Sequence, residues 1–366
     1  MPSDVFFTDM RAHRGRSLLQ KMEELFEKAA FPNLIKEGDF VAIKIHCGER
    51  GNTAYVRPIF IRRVVEKVRA YGGKPFLTDT NTLYVSSRAN AVDHLITAIE
   101  NGFDYASVGA PFIIADGLNG RDYVPLKIDG RFFKEVKISS AIYHADVLIA
   151  ISHFKGHETT GFGGALKNVG MGCGCRSAKQ MMHSDVLPVV DVEKCTGCGK
   201  CLQWCPAQAI ILSGEKKARI DHKKCLGCGE CVVTCPSFAI AISWEAEPHS
   251  VQKKMVEHVY GVLKSKENKV GFVNFLINVA PSCDCWGWSD APIVPDIGIL
   301  ASHDPVALDQ ASVDLINRTR GIENTGLSDP QSEDKFGAIT GVDWSVQLKY
   351  GEELGLGSRE YNLIKI

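Results

Sequence analysis

Apolar positions along the chain alternate between short runs of strand type and longer stretches at helical spacing. Within residues 17–30, Leu18, Leu19, Met22 and Leu25 recur every three or four positions and predict an amphipathic helix. Residues 39–46 form a short apolar run ending in a polar loop over 47–52. A helix over 58–71 follows, with Pro58 in its first turn and Gly72 and Gly73 as its stop. The run 74–78 ends in the polar loop 79–82, and a helix over 90–101 is closed by Gly102. Further strands are expected over 112–115 and 146–152. The rhythm resumes with a helix over 251–264 and strands over 270–279 and 296–301. Asp304 and Pro305 then open a helix reaching about residue 318, as N-cap and first-turn residue. A last helix is expected near 344–354. Strand–helix alternation of this kind predicts an α/β fold, a mostly parallel sheet with helices on both faces.

The rhythm breaks between residues 186 and 246. Cys195, Cys198, Cys201 and Cys205 precede Pro206, and Cys225, Cys228, Cys231 and Cys235 precede Pro236, the second run repeating the first. Gly197, Gly199, Ala209 and Ile210 recur as Gly227, Gly229, Ala239 and Ile240, so the whole unit is duplicated. The C-x2-C-x2-C-x3-C-P spacing is that of bacterial two-cluster ferredoxins, in which the cysteine before proline serves the other cluster. The expectation is therefore two 4Fe–4S clusters, one on Cys195, Cys198, Cys201 and Cys235, the second on Cys225, Cys228, Cys231 and Cys205. Structural zinc favours two C-x-x-C pairs separated by a long spacer, which this run is not. The chain thus divides into a first α/β part (1–185), an inserted α+β ferredoxin-like module (186–246), and a second α/β part with a tail (247–366).

Composition narrows the class. Lys and Arg number 42 against 43 Asp and Glu, so no basic field points to nucleic acid. No run of eighteen apolar residues suggests a membrane span, and residues 1–11 lack the pattern of a signal peptide. Thirteen cysteines in that setting point to a reducing, cytoplasmic environment and to metal ligation.

In open parallel sheets ligands bind beyond the carboxyl ends of the strands. The residues there are Lys44, His46, Cys47, Glu49, Arg50, Asp79, Asn81, His153, Lys155, His157 and Glu158, then Cys283 and Cys285, and finally His303 and Asp304. Between residues 156 and 174 stand Gly156, Gly161, Gly163, Gly164, Gly170, Gly172 and Gly174, beside Lys167 and Asn168. Such a segment exposes successive amides, so Gly163, Gly164 and Asn168 are candidates for holding an anion. Lys155 and Lys167 would bind a small anionic substrate, and His153 or His157 would move protons. The pairs Cys173/Cys175 and Cys283/Cys285 each place two thiols on one side of an extended chain, and with Cys47 they are candidates for a third metal site. Simpler roles compete: free buried thiols, structural histidines and a glycine-rich connection.

These stretches resemble a large family catalogued as domain of unknown function 362. The matching residues are Lys44–Gly48, His153–His157, Gly163–Gly170 and Ser302–Asp309. The resemblance implies an α/β iron–sulfur protein with a redox role and supplies no substrate. The expected function is an oxidoreductase that passes electrons from the two clusters to a substrate or third metal in the α/β domain. The alternatives are a non-catalytic electron-transfer partner of a larger enzyme and a metal- or cluster-handling protein.

Overall fold

The computed structural model describes residues 2–183, 187–225, 227–241, 247–267 and 269–366. Its centre is an eight-stranded sheet built from β1 (Ser3–Asp9), β2 (Phe40–Lys44), β3 (Lys74–Asp79), β4 (Phe112–Ile114), β5 (Val147–His153), β6 (Val270–Leu276), β7 (Gly298–Ser302) and β8 (Tyr361–Lys365). Their spatial order is β8-β1-β7-β6-β5-β2-β3-β4. The strands from β6 to β4 run parallel, as do β8 and β1, while β7 is antiparallel to both of its neighbours. The sheet is mostly parallel, as the alternation predicts.

Every residue of β5 is buried, because both of its faces carry helices. Val147, Ile149 and Ile151 pack with α1 (Leu18–Lys28), α2 (Pro58–Ala70) and α3 (Ala91–Glu100) through Leu25, Val64 and Ala98. Leu148 and Ala150 face the opposite core. There α4 (Ala165–Gly170), α5 (Pro248–Lys264), α6 (Pro305–Arg318) and α7 (Ser345–Glu353) contribute Val169, Met255, Val306 and Leu348. The caps are those the residues dictate. Ser17 and Gln20 close a capping box on α1, and the Asp304 carboxylate accepts from the amides of Val306 and Ala307 on α6.

The edge strand β8 and its neighbour β1 were not evident in the pattern. In β8 no position is fully buried, so it lacks a clear alternation, and β1 mixes polar residues into its run. The reversed direction of β7 also corrects one expectation. His303 and Asp304 follow β7 at the opposite end of the sheet from Lys44 and His153, and the His303 ring meets the carbonyls of Val270, where β6 begins, and Ala29.

The cysteine-rich segment forms two short hairpin-like pairings, Ile210–Leu212 with Ala218–Ile220 and Val189–Val190 with Ile240–Ala241. The second pairing brings its entry and exit side by side. The expected boundaries at residues 186 and 246 lie outside the described residues. Helical turns at Lys200–Gln203 and Glu230–Thr234 start from equivalent left-handed glycines, Gly199 (φ 70°) and Gly229 (φ 72°). The segment is tied to the α/β part by a 2.8 Å ion pair between Glu230 and Lys137, and by the Arg121 guanidinium 3.6 Å from the Trp204 ring centre. Among the described residues no helix is long and apolar enough to cross a membrane.

The two glycines offer a controlled comparison. A Cβ on Gly199 meets open space, whereas one on Gly229 would lie 2.4 Å from Cβ of Gln180. Gly199→Ala should cost only the left-handed penalty, about 1–2 kcal/mol. Gly229→Ala should cost clearly more and loosen the segment from residues 176–182. Denaturant unfolding of both variants checks this, and equal losses would contradict the packing.

Candidate active site at the carboxyl ends of the strands

The carboxyl ends of β2, β3 and β5 converge, as the sheet direction requires, on a buried polar network. Asp284 lies at its centre, in the loop that follows β6. It is fully buried, with His153 Nδ1 at 2.9 Å and Lys155 Nζ at 3.1 Å from its oxygens. Burial pushes its carboxyl up, but His153 and Lys155 outweigh burial and hold it well below the usual carboxylate range. The loop is further pinned by Glu49 N–H to the Asp284 carbonyl at 3.0 Å, and by Asn52 Nδ2 to the carbonyls of Trp286 and Trp288. Residues 283–286 form a turn closed by the Trp286 amide donating to the Cys283 carbonyl at 3.1 Å, and within it Asp284 points inward while the Cys283 and Cys285 thiols meet.

There the Cys283 thiol donates to Cys285 Sγ across 3.0 Å. That bond lowers the Cys285 thiol and raises Cys283, and Lys167 and His46 lower Cys285 further. Lys167 Nζ stands 3.6 Å from Cys283 Sγ, and His46 Nε2 3.5 Å from Cys285 Sγ. Of the four residues expected to be catalytic, His153, Lys155 and Lys167 therefore belong to the Asp284 network and its thiol pair. The fourth, His157, accepts the amides of Thr159 and Thr160 at Nδ1, both at 3.2 Å, and burial lowers its pKa.

A second cluster adjoins the first. Lys44 Nζ lies 3.0 Å from Asp79 Oδ1 and 2.8 Å from Asn168 Oδ1, so Asn168 anchors a buried lysine. Arg88 pairs with Glu49 at 3.0 Å and stands 3.8 Å from Asp79 Oδ2. Cys47 Sγ lies 3.6 Å from His94 Nε2, itself 3.8 Å from Asp79 Oδ2. Among the described residues, the ligand atoms of Cys47, Asp79 and His94 are the group of three or more that lie within 4.8 Å of one another. Burial works against ionised Asp79, but Lys44, His46, His94 and Arg88 overcome it and hold the carboxyl low. Burial pushes the Cys47 thiol up to about 12 and the His94 imidazole down to about 3. The chain is thus cysteine-rich, and among the described residues Cys47, Asp79 and His94 have the donor types and spacing to hold a single metal ion.

The glycine-rich segment is occupied from within. Gly161–Gly163 pairs with Lys155–His157 as a hairpin, and Gly164 leads into α4. The amides of Ala165 and Leu166, which an anion would use, already donate to Asp309 at 2.7 and 2.9 Å. Gly163 and Gly164 leave room for Lys167 and Asp309, whose atoms a Cβ would meet at 3.1 and 2.2 Å. Cys173 and Cys175 lie elsewhere. Cys173 is buried in the α5–α6 core, where burial pushes its thiol up to about 11, and Cys175 Sγ contacts Ser177 Oγ at 3.3 Å.

The eight remaining cysteines line two cavities. Cys195, Cys198, Cys201 and Cys235 face one, and Cys205, Cys225, Cys228 and Cys231 the other. All thirteen cysteines are free of disulfides. Amides aim at the sulfurs at repeated positions, with Ala209 N–H to Cys205 at 3.2 Å and Ala239 N–H to Cys235 at 3.3 Å. Leu83 packs into the same apolar cluster as Cys195, Cys201 and Cys231, and its neighbour Tyr84 donates to the Cys285 carbonyl at 3.3 Å.

Sequence reasoning passed over Asp284, Arg88, Tyr84 and His94. Only Asp284 left a signal, since it separates two cysteines predicted to point the same way. Asp284→Asn leaves Lys155 buried without its counter-charge, which should cost about 3–5 kcal/mol in denaturant unfolding at neutral pH. The native carboxyl is held low, so its contribution is complete above about pH 4 and fades as acid approaches the folded value. Asp284→Asn should therefore flatten the loss of stability in that acid range, and an unchanged acid profile would contradict the pairing.

Three comparisons place the chain. The model of a family described as domain of unknown function (DUF362) matches residues 41–314. No curated protein matches. Among solved structures, the lactate racemase apoprotein from Thermoanaerobacterium thermosaccharolyticum is similar with a TM-score of 0.38 and 10% sequence identity, covering 74% of this chain and 50% of that chain. The chain thus spans half the length of that neighbour. With its strands β2 to β7 and the site between them inside the matched residues, the chain belongs to the DUF362 family.

Proposed function

We propose that this chain is a two-cluster iron–sulfur redox protein, an oxidoreductase that takes electrons through a ferredoxin-like module at 186–246 and uses them at the Asp284 site. The observation that carries the reading is the pair of four-cysteine cavities, each combining three cysteines of one run with the fourth of the other. Four thiols around one space, without disulfides and with amides aimed at the sulfurs, form the donor set a cubane cluster requires. Bound there, each cluster would supply one-electron redox chemistry. Cys195, Cys198, Cys201 and Cys235 would hold one cluster, and Cys205, Cys225, Cys228 and Cys231 the other.

The chain's own residues divide the remaining work. Leu83 and Tyr84 join the apolar surround of the cysteine cavities to the Cys285 loop. Lys155 and His153 fix that loop through Asp284, Lys167 holds positive charge beside Cys283, and the His46 imidazole stands against Cys285. The partner is a redox protein or a small anionic substrate that reaches this site.

Crossed ligation gives an iron count that tests the assignment. Replacing Cys205 and Cys228 together should remove one cluster and leave about four irons per chain, because both serve the same cluster. Replacing Cys205 and Cys198 should remove both and leave close to none. The reverse pattern in anaerobically purified protein would show that each run keeps its own cluster.

A further inference from the structure

Cys283 and Cys285 stand outside both four-cysteine cavities, and the network beneath them accounts for their position without using their chemistry. We infer that they form a dithiol–disulfide couple that reduces a disulfide substrate by thiol exchange. Its recharging with electrons from the module rests on the functional reading above.

Four observations carry the inference. The two sulfurs are 3.0 Å apart within the turn closed by Trp286 N–H on the Cys283 carbonyl, so about 1 Å of movement brings them to bonding distance. Their roles are already unequal. Cys283 is 1% exposed and donates its proton, whereas Cys285 is half-buried and accepts it. His46 stands on the Cys285 side of the pair. Its Nε2 lies 3.5 Å from Cys285 Sγ, while its Nδ1 accepts from Gly48 N–H at 3.0 Å. Finally, the surroundings suit a thiolate better than a metal cation. Lys167 lies 3.6 Å from Cys283, and the Arg88 guanidinium 3.2 Å from His46 Nε2, so a dication would face two fixed positive charges. Trp286 and Trp288, which follow Cys285 in the chain, are exposed and offer an incoming substrate an apolar surface.

The chemistry balances with these groups. The Cys285 thiolate attacks one sulfur of the substrate disulfide, whose S–S bond breaks, and the departing sulfur takes a proton. Cys283 then loses its proton and attacks Cys285 Sγ, releasing the second substrate sulfur as a thiol. The products are two substrate thiols and a Cys283–Cys285 disulfide. Two electrons and one proton return that disulfide to a Cys283 thiol and a Cys285 thiolate. A dithiol couple thus collects as one pair the electrons that the clusters would deliver singly.

The test oxidises anaerobic, cluster-loaded protein with oxidised glutathione, removes the reagent, and titrates with reduced methyl viologen. Cysteine alkylation and peptide mass mapping follow the thiols, while EPR follows the clusters. The wild type should take up about four electrons per chain, two in the clusters and two in the disulfide. Cys285→Ser should take up about two. Cys283 and Cys285 should resist alkylation after glutathione treatment and regain it after titration. Equal uptake by wild type and Cys285→Ser, or full alkylation of both cysteines after oxidation, would overturn the couple. The mapping on wild-type protein stands even if the variant misfolds. Restored thiols with no cluster signal at any stage would overturn the recharging together with the cluster reading.

Discussion

A buried carboxylate paired with a histidine and a lysine sets the geometry of this protein. Asp284 is wholly removed from water and bound to His153 and Lys155, so its charge is tolerable only while both partners stay in place. Those partners sit at the end of β5 and on the hairpin that follows it, and Asp284 lies in the loop after β6, the neighbouring parallel strand. The interaction therefore fastens a long loop across the carboxyl ends of the sheet. What it positions on the far side of that loop is a pair of thiols.

The sheet supplies the rest by direction alone. Because β2, β3 and β5 run parallel, their carboxyl ends bring Lys44, Asp79 and His153 within one network, although they lie far apart in sequence. Antiparallel β7 removes His303 and Asp304 from the same place, leaving Asp304 to cap α6. The glycine-rich stretch before α4 serves the same assembly. Its amides are satisfied by Asp309, whose own carboxyl burial pushes up to about 6, so the segment is a rigid support for Lys167 and Asn168. The cysteine-rich segment docks on this frame through Glu230, Trp204 and the packing of Leu83.

Much of this was legible in the sequence, and the reasons are physical. The strands at 39–46, 74–78 and 146–152 announce themselves because burial on both faces leaves a continuous apolar run. β8 stays silent because an exposed edge needs no such run. The cysteine spacing fixed which sulfurs were expected together, since local chain geometry dictates it. Long-range pairing leaves no such trace. Nothing in the sequence says that Cys47 meets His94, that Arg88 lies against Glu49, or that Asp309 fills the cradle opened by Gly164. The lysines expected to receive an anion are instead engaged, Lys155 with Asp284 and Lys167 with Cys283. The two C-x-C pairs are likewise drawn into different surroundings, one against Lys167 and His46, the other against the α5–α6 core and Ser177.

The measurement closest to the central claim is a count of iron, acid-labile sulfide and zinc on wild-type protein purified without oxygen. The account predicts about eight irons and eight sulfides per chain, the content of two cubane clusters. Zinc in place of iron, or cysteines that bind no metal, would contradict it.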